Sequence, residues 1–459
     1  MTVGVAKIQA LSHHQVLQRD ATDGSTIAVP DAAGSTVQAV GGDGLPVATA
    51  HGGALRLPTG GPYDLERVAA SGERTVLLTD LFVGDLWVLA GQSNMEGLGR
   101  MDGRELAGPA VRVLDMTRRW RPAYEPLHMM LLPGTHPVHH RLERERQAYH
   151  AAQSGAAFEY VEWRPPADGF THGVGPGVGF ANEVVRRSGV PVGLVPTAHG
   201  GTSMLNWNPD LGDGLFAAML DAVHDCGGRV AGVLWFQGEA ELEAPEPYVY
   251  DEQLAHLLDC MRTRLPGPSQ LLVVQLARWV RPNDDKRAHE HDLRWSRLRE
   301  SQRLATAADG VAPSLDLELD DPVHVGTRGQ LRLGRRLARL ACGGPAIRLS
   351  ACAVVWDGWA IEVEWEGVVG GLRPASGDSA DGFSLRDARG EDLRLVYQAE
   401  LGGSLVRLRT SRQLTAQEEL FLWYGFGLNP HCNIVDDEDM GLPGFGPLPV
   451  RAAAGAARP

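Results

Sequence analysis

Between Leu81 and Gly343 the chain alternates short apolar runs with longer amphipathic stretches, and this alternation restricts the fold more than any other feature. Short apolar runs bounded by turn-forming residues are typical of strands that are buried on both faces. The predicted strands are 86–90, 111–114, 191–196, 230–236 and 271–276, and the predicted helices are 177–187, 215–226, 248–264, 287–307 and 328–341. Alternating strands and helices predict an α/β domain, with a parallel sheet covered by helices on both faces.

The two flanks of this region have a different pattern. The N-terminal part contains turn pairs such as Asp23-Gly24 between β-favouring runs, for example 26–29 and 74–78. Near the other end, residues 360–365 and 404–408 alternate polar and apolar side chains with period two. Both patterns are typical of antiparallel β-structure. We therefore expect an N-terminal β-domain over 1–80, an α/β domain over 81–343 and a C-terminal β-domain over 344–459.

A serine follows the first predicted buried strand. The run 86–90 leads through Gly91 to Ser93, at a strand-to-helix turn where a hydroxyl group is exposed at the sheet edge. A serine that only caps a short helix is the alternative interpretation. The chain has no GxSxG sequence, which disfavours the nucleophile elbow of α/β-hydrolases. The Gly-Asp-Ser triplet at 377–379 also offers a candidate nucleophilic serine, but it follows no buried strand and is interpreted as a turn.

Other chemical groups follow neighbouring strands. Because the carboxyl ends of parallel strands meet at one edge of a sheet, we expect these groups to lie close together. Acyl transfer requires a nucleophile, a base and hydrogen-bond donors for the oxyanion. Ser93 can supply the hydroxyl and a backbone N–H, Gly200 or Gly201 a second N–H, Gln237 a side-chain amide, and His324 the base.

More than one carboxylate is a candidate partner for His324. Asp321 precedes the histidine by three residues, a spacing that lets one short loop carry both groups. Glu239 follows a different strand but ends at the same sheet edge, whereas Asp320 is adjacent to Asp321 and is expected to point elsewhere. We favour Asp321 as the group that fixes the histidine tautomer, with Glu239 in a supporting hydrogen bond.

Four blocks of the α/β region together resemble a known family. The segments 91–95 (GQSNM), 200–203 (GGTS), 235–239 (WFQGE) and 321–324 (DPVH) are similar to those of SGNH-type hydrolases. The similarity is closest to the sialate O-acetylesterase and acetylxylan esterase group, carbohydrate esterase family six. The flanks also resemble the longer sialate O-acetylesterase layout.

This resemblance implies a flavodoxin-like sheet and a role for each group. Ser93 would be the nucleophile, His324 the base and Asp321 its partner, while Gly201 and Gln237 would belong to the oxyanion hole. It implies a serine esterase that removes O-acetyl groups from carbohydrates and needs no metal or organic cofactor. A general short-chain esterase or lipase on the same fold and a carbohydrate-binding protein without catalysis are the alternatives.

Composition and charge argue against some classes of binding partner. The 57 acidic residues exceed the 43 basic ones, which gives a formal net charge of -14 and argues against nucleic-acid binding. No apolar segment is long enough to span a bilayer. Residues 1–20 lack the apolar core of a signal peptide, so we expect a cytoplasmic protein that acts on an O-acetylated carbohydrate. The sequence does not indicate the oligomeric state.

The histidines and cysteines do not predict a metal site or disulfides. The five cysteines form no CxxC pair, so we expect free thiols. Residues 118–172 are interpreted as an insertion; within them, the charged stretch that holds His136, His139, His140 and His150 has no metal-binding spacing. We expect this insertion to be a solvated loop near the substrate.

Overall fold

The structure is a computed structural model, which describes residues 6–30, 34–154, 158, 160, 169–245, 247–267, 269–282, 286–350, 358–414 and 418–450. Within these ranges the helices are α1 (Ser93–Glu96), α2 (Pro137–Ser154), α3 (Gly177–Ser188), α4 (Leu215–Asp225), α5 (Tyr250–Arg264), α6 (Ala288–Arg303) and α7 (Thr327–Ala341). Short 3-10 helices lie at Ile8–Ala10 and Glu239–Glu243.

The strands fall into two groups along the chain. Before and within the α/β region they are β1 (Ala6–Lys7), β2 (Val16–Gln18), β3 (Gly24–Val29), β4 (Ser35–Val40), β5 (Pro46–Ala50), β6 (Gly53–Pro58), β7 (Gly60–Ala69), β8 (Arg74–Gly91), β9 (Gly99–Arg100), β10 (Val111–Leu114), β11 (Trp120–Pro122), β12 (His172–Val174), β13 (Val192–Pro196), β14 (Gly232–Phe236), β15 (Gln270–Gln275) and β16 (Gly310–Pro313). The C-terminal strands are β17 (Arg348–Leu349), β18 (Ala360–Glu366), β19 (Arg373–Pro374), β20 (Phe383–Arg386), β21 (Val396–Gly402), β22 (Leu405–Thr410), β23 (Phe421–Tyr424), β24 (Ile434–Val435) and β25 (Phe445–Pro449).

The central sheet has the order β11-β10-β13-β8-β14-β15-β16. All neighbours from β10 to β16 are parallel, and β11 pairs antiparallel with β10. If β10 and β11 are set aside, the remaining strands follow the order 2-1-3-4-5 of a flavodoxin-like sheet, whose ligand site lies at the carboxyl ends of the first and third strands. Here those strands are β8 and β14.

The buried faces explain why the α/β pattern is readable in the sequence. The second half of β8 and all of β13 and β14 are buried, as expected for strands covered on both faces. Helix α3 packs against α7, and α5 packs against α6. The five predicted strands and five predicted helices are confirmed, with shifts of a few residues at their ends. Strand β16 was not predicted, because Gly-Val-Ala-Pro is short and contains two residues that disfavour strands.

The N-terminal β-structure has its own apolar core, which includes Ile27, Leu57 and Leu65. It is tied to the central sheet by β8, whose first half pairs with β7 and whose second half pairs with β13 and β14. This strand therefore runs across the domain boundary that we expected at residue 80. The long continuous strand fixes the N-terminal sheet to the strand that leads to Ser93.

The C-terminal β-structure instead shares one apolar core with the α/β region. Arg299 of α6 is 1% exposed and donates hydrogen bonds to the backbone oxygens of Leu276, Gly425 and Gly427. Burial lowers the pKa of Arg299 to about 9. A buried guanidinium that bonds carbonyl groups on both sides joins the two regions rigidly, because unpaired donors would be costly there.

The insertion and the cysteines were both the subject of expectations from the sequence. The insertion is not simply a solvated loop, because Pro137–Ser154 forms helix α2, in which Val138 and His139 are buried. Among the described cysteines, Cys226, Cys260, Cys342 and Cys432 are free, while Cys352 lies outside the described residues.

No helix in the described ranges is long and apolar enough to cross a membrane. The same ranges contain no cluster of three His, Cys, Asp or Glu side chains that could hold a metal ion.

At the junction of β8 and β14, the backbone leaves no space for a side chain on Gly91. A Cβ atom there would lie 2.0 Å from the Phe236 backbone oxygen, and the φ angle of +133° is unfavourable for other residues. We expect Gly91→Ala to abolish folding or lower Tm by more than about 10 °C, a loss of several kcal/mol. Thermal melts would measure this against Gly42→Ala, where a Cβ meets nothing within 4 Å. Equal Tm values for the two variants would contradict the packing described here.

Candidate active site

Loops at the carboxyl edge of the central sheet bring the predicted residues together. Ser93 follows β8, Gly200 and Gly201 follow β13, and His324 lies between β16 and α7. These residues line one cavity of about 670 Å³. The parallel strands explain this convergence, because their carboxyl ends all reach the same edge.

Ser93, His324 and Asp321 form a continuous hydrogen-bonded chain. The Nε2 atom of His324 lies 3.0 Å from Ser93 Oγ, and its Nδ1 atom lies 2.6 Å from Asp321 Oδ2. The second Asp321 oxygen accepts the backbone N–H groups of Val323 and His324, both at 2.8 Å. A carboxylate on Nδ1 holds the proton there and leaves Nε2 able to accept the serine proton.

The charge of Asp321 is set by opposing effects. Burial alone would raise its pKa, and this is the largest single influence. The hydrogen bonds from Val323 and His324 together outweigh burial, so the pKa of Asp321 lies below its ordinary value. Asp321 is therefore ionised near neutral pH, the state in which it can stabilise an imidazolium.

Glu239 supports the site through Asn94 and does not hydrogen-bond His324 in the described part of the chain. Its Oε1 atom accepts the Asn94 side-chain N–H at 2.5 Å, and Asn94 Oδ1 accepts the Val325 N–H at 2.9 Å. Glu239 thus holds Asn94, and Asn94 holds the loop that carries His324. Burial raises the pKa of Glu239. Of the three carboxylates considered from the sequence, Asp321 is the one that hydrogen-bonds the imidazole, while Asp320 Oδ2 accepts the N–H groups of Arg100 and Thr327.

The turn before Ser93 is fixed by backbone and side-chain hydrogen bonds. The Gln92 N–H donates to the Phe236 oxygen at 2.9 Å, and Gln92 Oε1 accepts the N–H groups of Gly238 and Ala240 at 3.4 and 3.3 Å. These contacts join the end of β8 to the loop after β14. The backbone N–H of Ser93 has no acceptor among the described residues, so it can donate to a substrate oxygen.

The glycine pair after β13 supplies a second backbone donor. The Gly200 N–H is already used, because it donates to Glu96 Oε2 at 2.7 Å. The Gly201 N–H has no acceptor within the described ranges, and Gly201 lines the cavity with a φ of +70°. Burial raises the pKa of Glu96 to about 7. This leaves Gly201, and not Gly200, as the glycine whose N–H can meet a bound oxyanion.

Gln237 is not placed as an oxyanion donor, and this expectation is corrected. Its side chain is fully buried, and the residue does not line the cavity that holds Ser93. Its amide nitrogen donates to Glu241 Oε1 at 3.0 Å and to the Thr202 oxygen at 3.3 Å. Two acceptors behind the cavity wall therefore hold the amide group that we expected to face the substrate.

Helix α2 forms a wall of the cavity. Its Glu143 and Arg146 line the cavity and are paired with each other at 2.6 Å. Behind them, His139 Nδ1 lies 2.9 Å from His199 Nδ1. Burial holds the pKa of both histidines well below the ordinary value, that of His199 at about 3, so neither is charged near neutral pH.

The cavity residues that were not identified from the sequence include Gln92, Glu96, Glu143 and Arg146. The position of Glu96, three residues after Ser93 on a helical turn, was a usable signal because such residues share one face. No sequence pattern indicated that Glu143 and Arg146 line the cavity. The α2 sequence lacks an apolar stripe at helical spacing and is typical of a solvated segment.

Comparison with known proteins places this arrangement in a family. The family model described as a carbohydrate esterase, sialic acid-specific acetylesterase, matches residues 83–342. The match covers more than half of the chain and includes Ser93, His324 and Asp321. The protein belongs to this family and is a carboxylic ester hydrolase.

Individual relatives agree with this assignment. A probable carbohydrate esterase of Arabidopsis thaliana is 28% identical over 276 residues, which are 55% of this chain and 88% of the plant protein. The crystal structure of a carbohydrate acetylesterase from Xanthomonas citri superposes with a TM-score of 0.59 at 23% identity, covering 95% of this chain and 98% of that one. At this identity the superposition shows a shared fold, including the flanking β-structure.

The placement of Gln237 predicts a separation of stability from activity. Gln237→Leu removes the donor to the Thr202 oxygen and one of the two donors to Glu241 Oε1, so we expect a loss of about 1–3 kcal/mol in stability, seen as a Tm lower by several degrees. We expect kcat on an acetyl ester to change by less than about threefold. A fall in kcat of about 10²–10³ at unchanged Tm is the size of a lost oxyanion donor and would overturn the placement.

Gln275→Leu is the matched control. Gln275 is also a fully buried glutamine at a strand end, and its amide nitrogen donates to the backbone oxygens of Arg299 and Gly444. It is expected to lower Tm by a similar amount and to leave kcat unchanged.

Proposed function

We propose that this protein is a serine esterase that removes O-acetyl groups from a carbohydrate through an acetyl-enzyme intermediate. The observation that carries the proposal is the unbroken hydrogen-bonded chain from Asp321 through His324 to Ser93 at the base of an open cavity. A carbohydrate-binding protein without catalysis would not need a serine, an imidazole and an ionised carboxylate aligned in this way.

In the first step Ser93 Oγ attacks the acetyl carbonyl carbon while His324 Nε2 takes the serine proton. The carbonyl oxygen becomes an oxyanion, to which the N–H groups of Ser93 and Gly201 donate. Asp321 stabilises the imidazolium that forms. When the tetrahedral intermediate collapses, the bond to the sugar oxygen breaks, and His324 gives its proton to that oxygen so that the sugar leaves as an alcohol.

In the second step a water molecule replaces the sugar hydroxyl. His324 removes a proton from the water as the water oxygen attacks the acetyl carbon on Ser93. The same donors meet the second oxyanion. Collapse breaks the bond to Ser93 Oγ, which recovers its proton from His324, and acetate leaves.

The cavity walls offer both polar and apolar contacts to a sugar. They carry Glu96, Glu143, Arg146 and His172, which can bind hydroxyl groups, beside apolar side chains such as Met130, Leu131 and Trp279, which can pack against the C–H face of a sugar ring. A lipase would need an apolar cover over the site, whereas α2 presents a charged face. Together with the family assignment, this supports an acetylated carbohydrate as the substrate.

The role of Ser93 is tested by Ser93→Ala. Without the nucleophile we expect kcat on 4-nitrophenyl acetate to fall by about 10⁴ or more at unchanged Tm. The control is Ser379→Ala, in the Gly-Asp-Ser triplet of an exposed bend, which should retain wild-type kcat. Turnover near the wild-type rate in folded Ser93→Ala would exclude this mechanism.

The roles of the two carboxylates are tested by comparing Asp321→Asn with Glu239→Gln. Asp321→Asn exchanges the acceptor on His324 Nδ1 for an amide, so we expect kcat to fall by as much as about 10⁴. Glu239→Gln keeps an oxygen for Asn94, so a loss of less than about tenfold is expected. A larger loss in Glu239→Gln, with Asp321→Asn nearly active and both variants equally stable, would reverse the assignment.

A further inference from the structure

A second cavity, of about 320 Å³, adjoins the one that holds Ser93. Ala240 lines both cavities, and its backbone N–H donates to the side chain of Gln92, the residue before Ser93. A ligand fixed at Ser93 can therefore extend past Ala240 into the second space. We call this second space the Tyr248 pocket.

The walls of the Tyr248 pocket are apolar with a few polar groups. The apolar side chains are Leu205, Ala244, Pro245, Pro247, Tyr248 and Val249, and the polar ones include Ser203, Glu241, Gln253 and Arg294. Leu205 is 64% exposed, so its side chain is accessible to a ligand at the pocket. Concave sites with mostly apolar walls and a few convergent polar groups are typical of small-ligand sites.

The ring of Tyr248 is held in place. The Arg297 guanidinium lies 3.8 Å from the ring centroid, and the phenol oxygen is 3.1 Å from Ser301 Oγ. Burial raises the pKa of Tyr248 to about 12, so its hydroxyl stays neutral. A fixed aromatic ring offers a flat apolar surface at little entropic cost, and the C–H face of a sugar ring fits such a surface.

Glu241 is the polar group that most clearly indicates a ligand. It lines the Tyr248 pocket and is 5% exposed. Its Oε1 atom accepts the Met204 N–H at 2.7 Å and the Gln237 amide at 3.0 Å. Its Oε2 atom has no hydrogen-bond donor within the described ranges. A carboxylate oxygen at the wall of a cavity can accept a hydrogen bond from a hydroxyl group of a ligand there.

We propose that the Tyr248 pocket binds the sugar unit next to the acetylated one, so that the natural substrate is an oligosaccharide or polysaccharide. The proposal rests on the proposed carbohydrate esterase function. A neutral sugar fits best, because its hydroxyls can donate to Glu241 while its C–H face covers Tyr248 and Leu205. An acidic sugar would bring a second negative charge to Glu241, and a lipid chain would supply no donor.

The test compares chain lengths on wild type and on two variants. The probes are 4-nitrophenyl acetate and partially O-acetylated xylose, xylotriose, mannose and mannotriose, with acetate release as the readout. For the wild type we expect at least one trisaccharide to exceed its monosaccharide in kcat/KM by about tenfold or more. Tyr248→Ala removes the aromatic surface, and Leu205→Arg fills the entrance. Both should reduce the trisaccharide-to-monosaccharide ratio to near one.

Tyr397→Ala is the control, because Tyr397 is an exposed tyrosine on β21, away from both cavities. It should keep the wild-type ratio. Wild-type ratios near one on both backbones would overturn the proposal, as would ratios that stay high in Tyr248→Ala and Leu205→Arg. Hydrolysis of the aryl ester without activity on any of these neutral sugar acetates would overturn this subsite, and a lack of acetate release from O-acetylated sialic acid as well would overturn the carbohydrate function. Equal activity on monosaccharides and trisaccharides would overturn the subsite alone.

Discussion

The contact between Gly91 at the end of β8 and Phe236 at the end of β14 is the constraint on which the site depends. At this point the two strands come so close that only a glycine fits, and the chain turns directly from Gly91 into Ser93. The same pair of strands marks the switch point of the parallel sheet, where a crevice forms between loops that leave in opposite directions. The position of the nucleophile follows from the packing of two strands.

Around that point, each chemical group is held by a contact from another part of the chain. Glu239 from the loop after β14 holds Asn94, and Asn94 holds the loop of His324. Glu96 from the turn after Ser93 holds Gly200 and so sets the position of the Gly201 N–H. Such contacts keep the donors and the base in place before substrate arrives, which lowers the cost of reorganisation in the transition state.

The structure could be predicted from the sequence where burial and residue spacing determine it. The second half of β8 and strands β13, β14 and β15 are apolar because both faces are covered, and Asp321 reaches His324 because three residues separate them on one loop. The sequence did not predict the site correctly where the direction of a side chain determines its role. Gln237 follows a correctly predicted strand, yet its amide turns toward Glu241. Helix α2 was taken for a loop because it buries few side chains. The roles assigned to Ser93, His324 and Gly201 stay predictions.

The central claim is that the acetyl group passes through Ser93, and covalent labelling tests it most directly. Wild-type protein would be mixed rapidly with excess 4-nitrophenyl acetate, quenched in acid, digested and examined by peptide mass spectrometry. The account predicts one acetyl group on the peptide that contains Ser93, formed as fast as the burst of nitrophenol and absent from Ser93→Ala. An acetyl group on another residue with the burst intact in Ser93→Ala, or rapid turnover without any acetylated peptide, would contradict it.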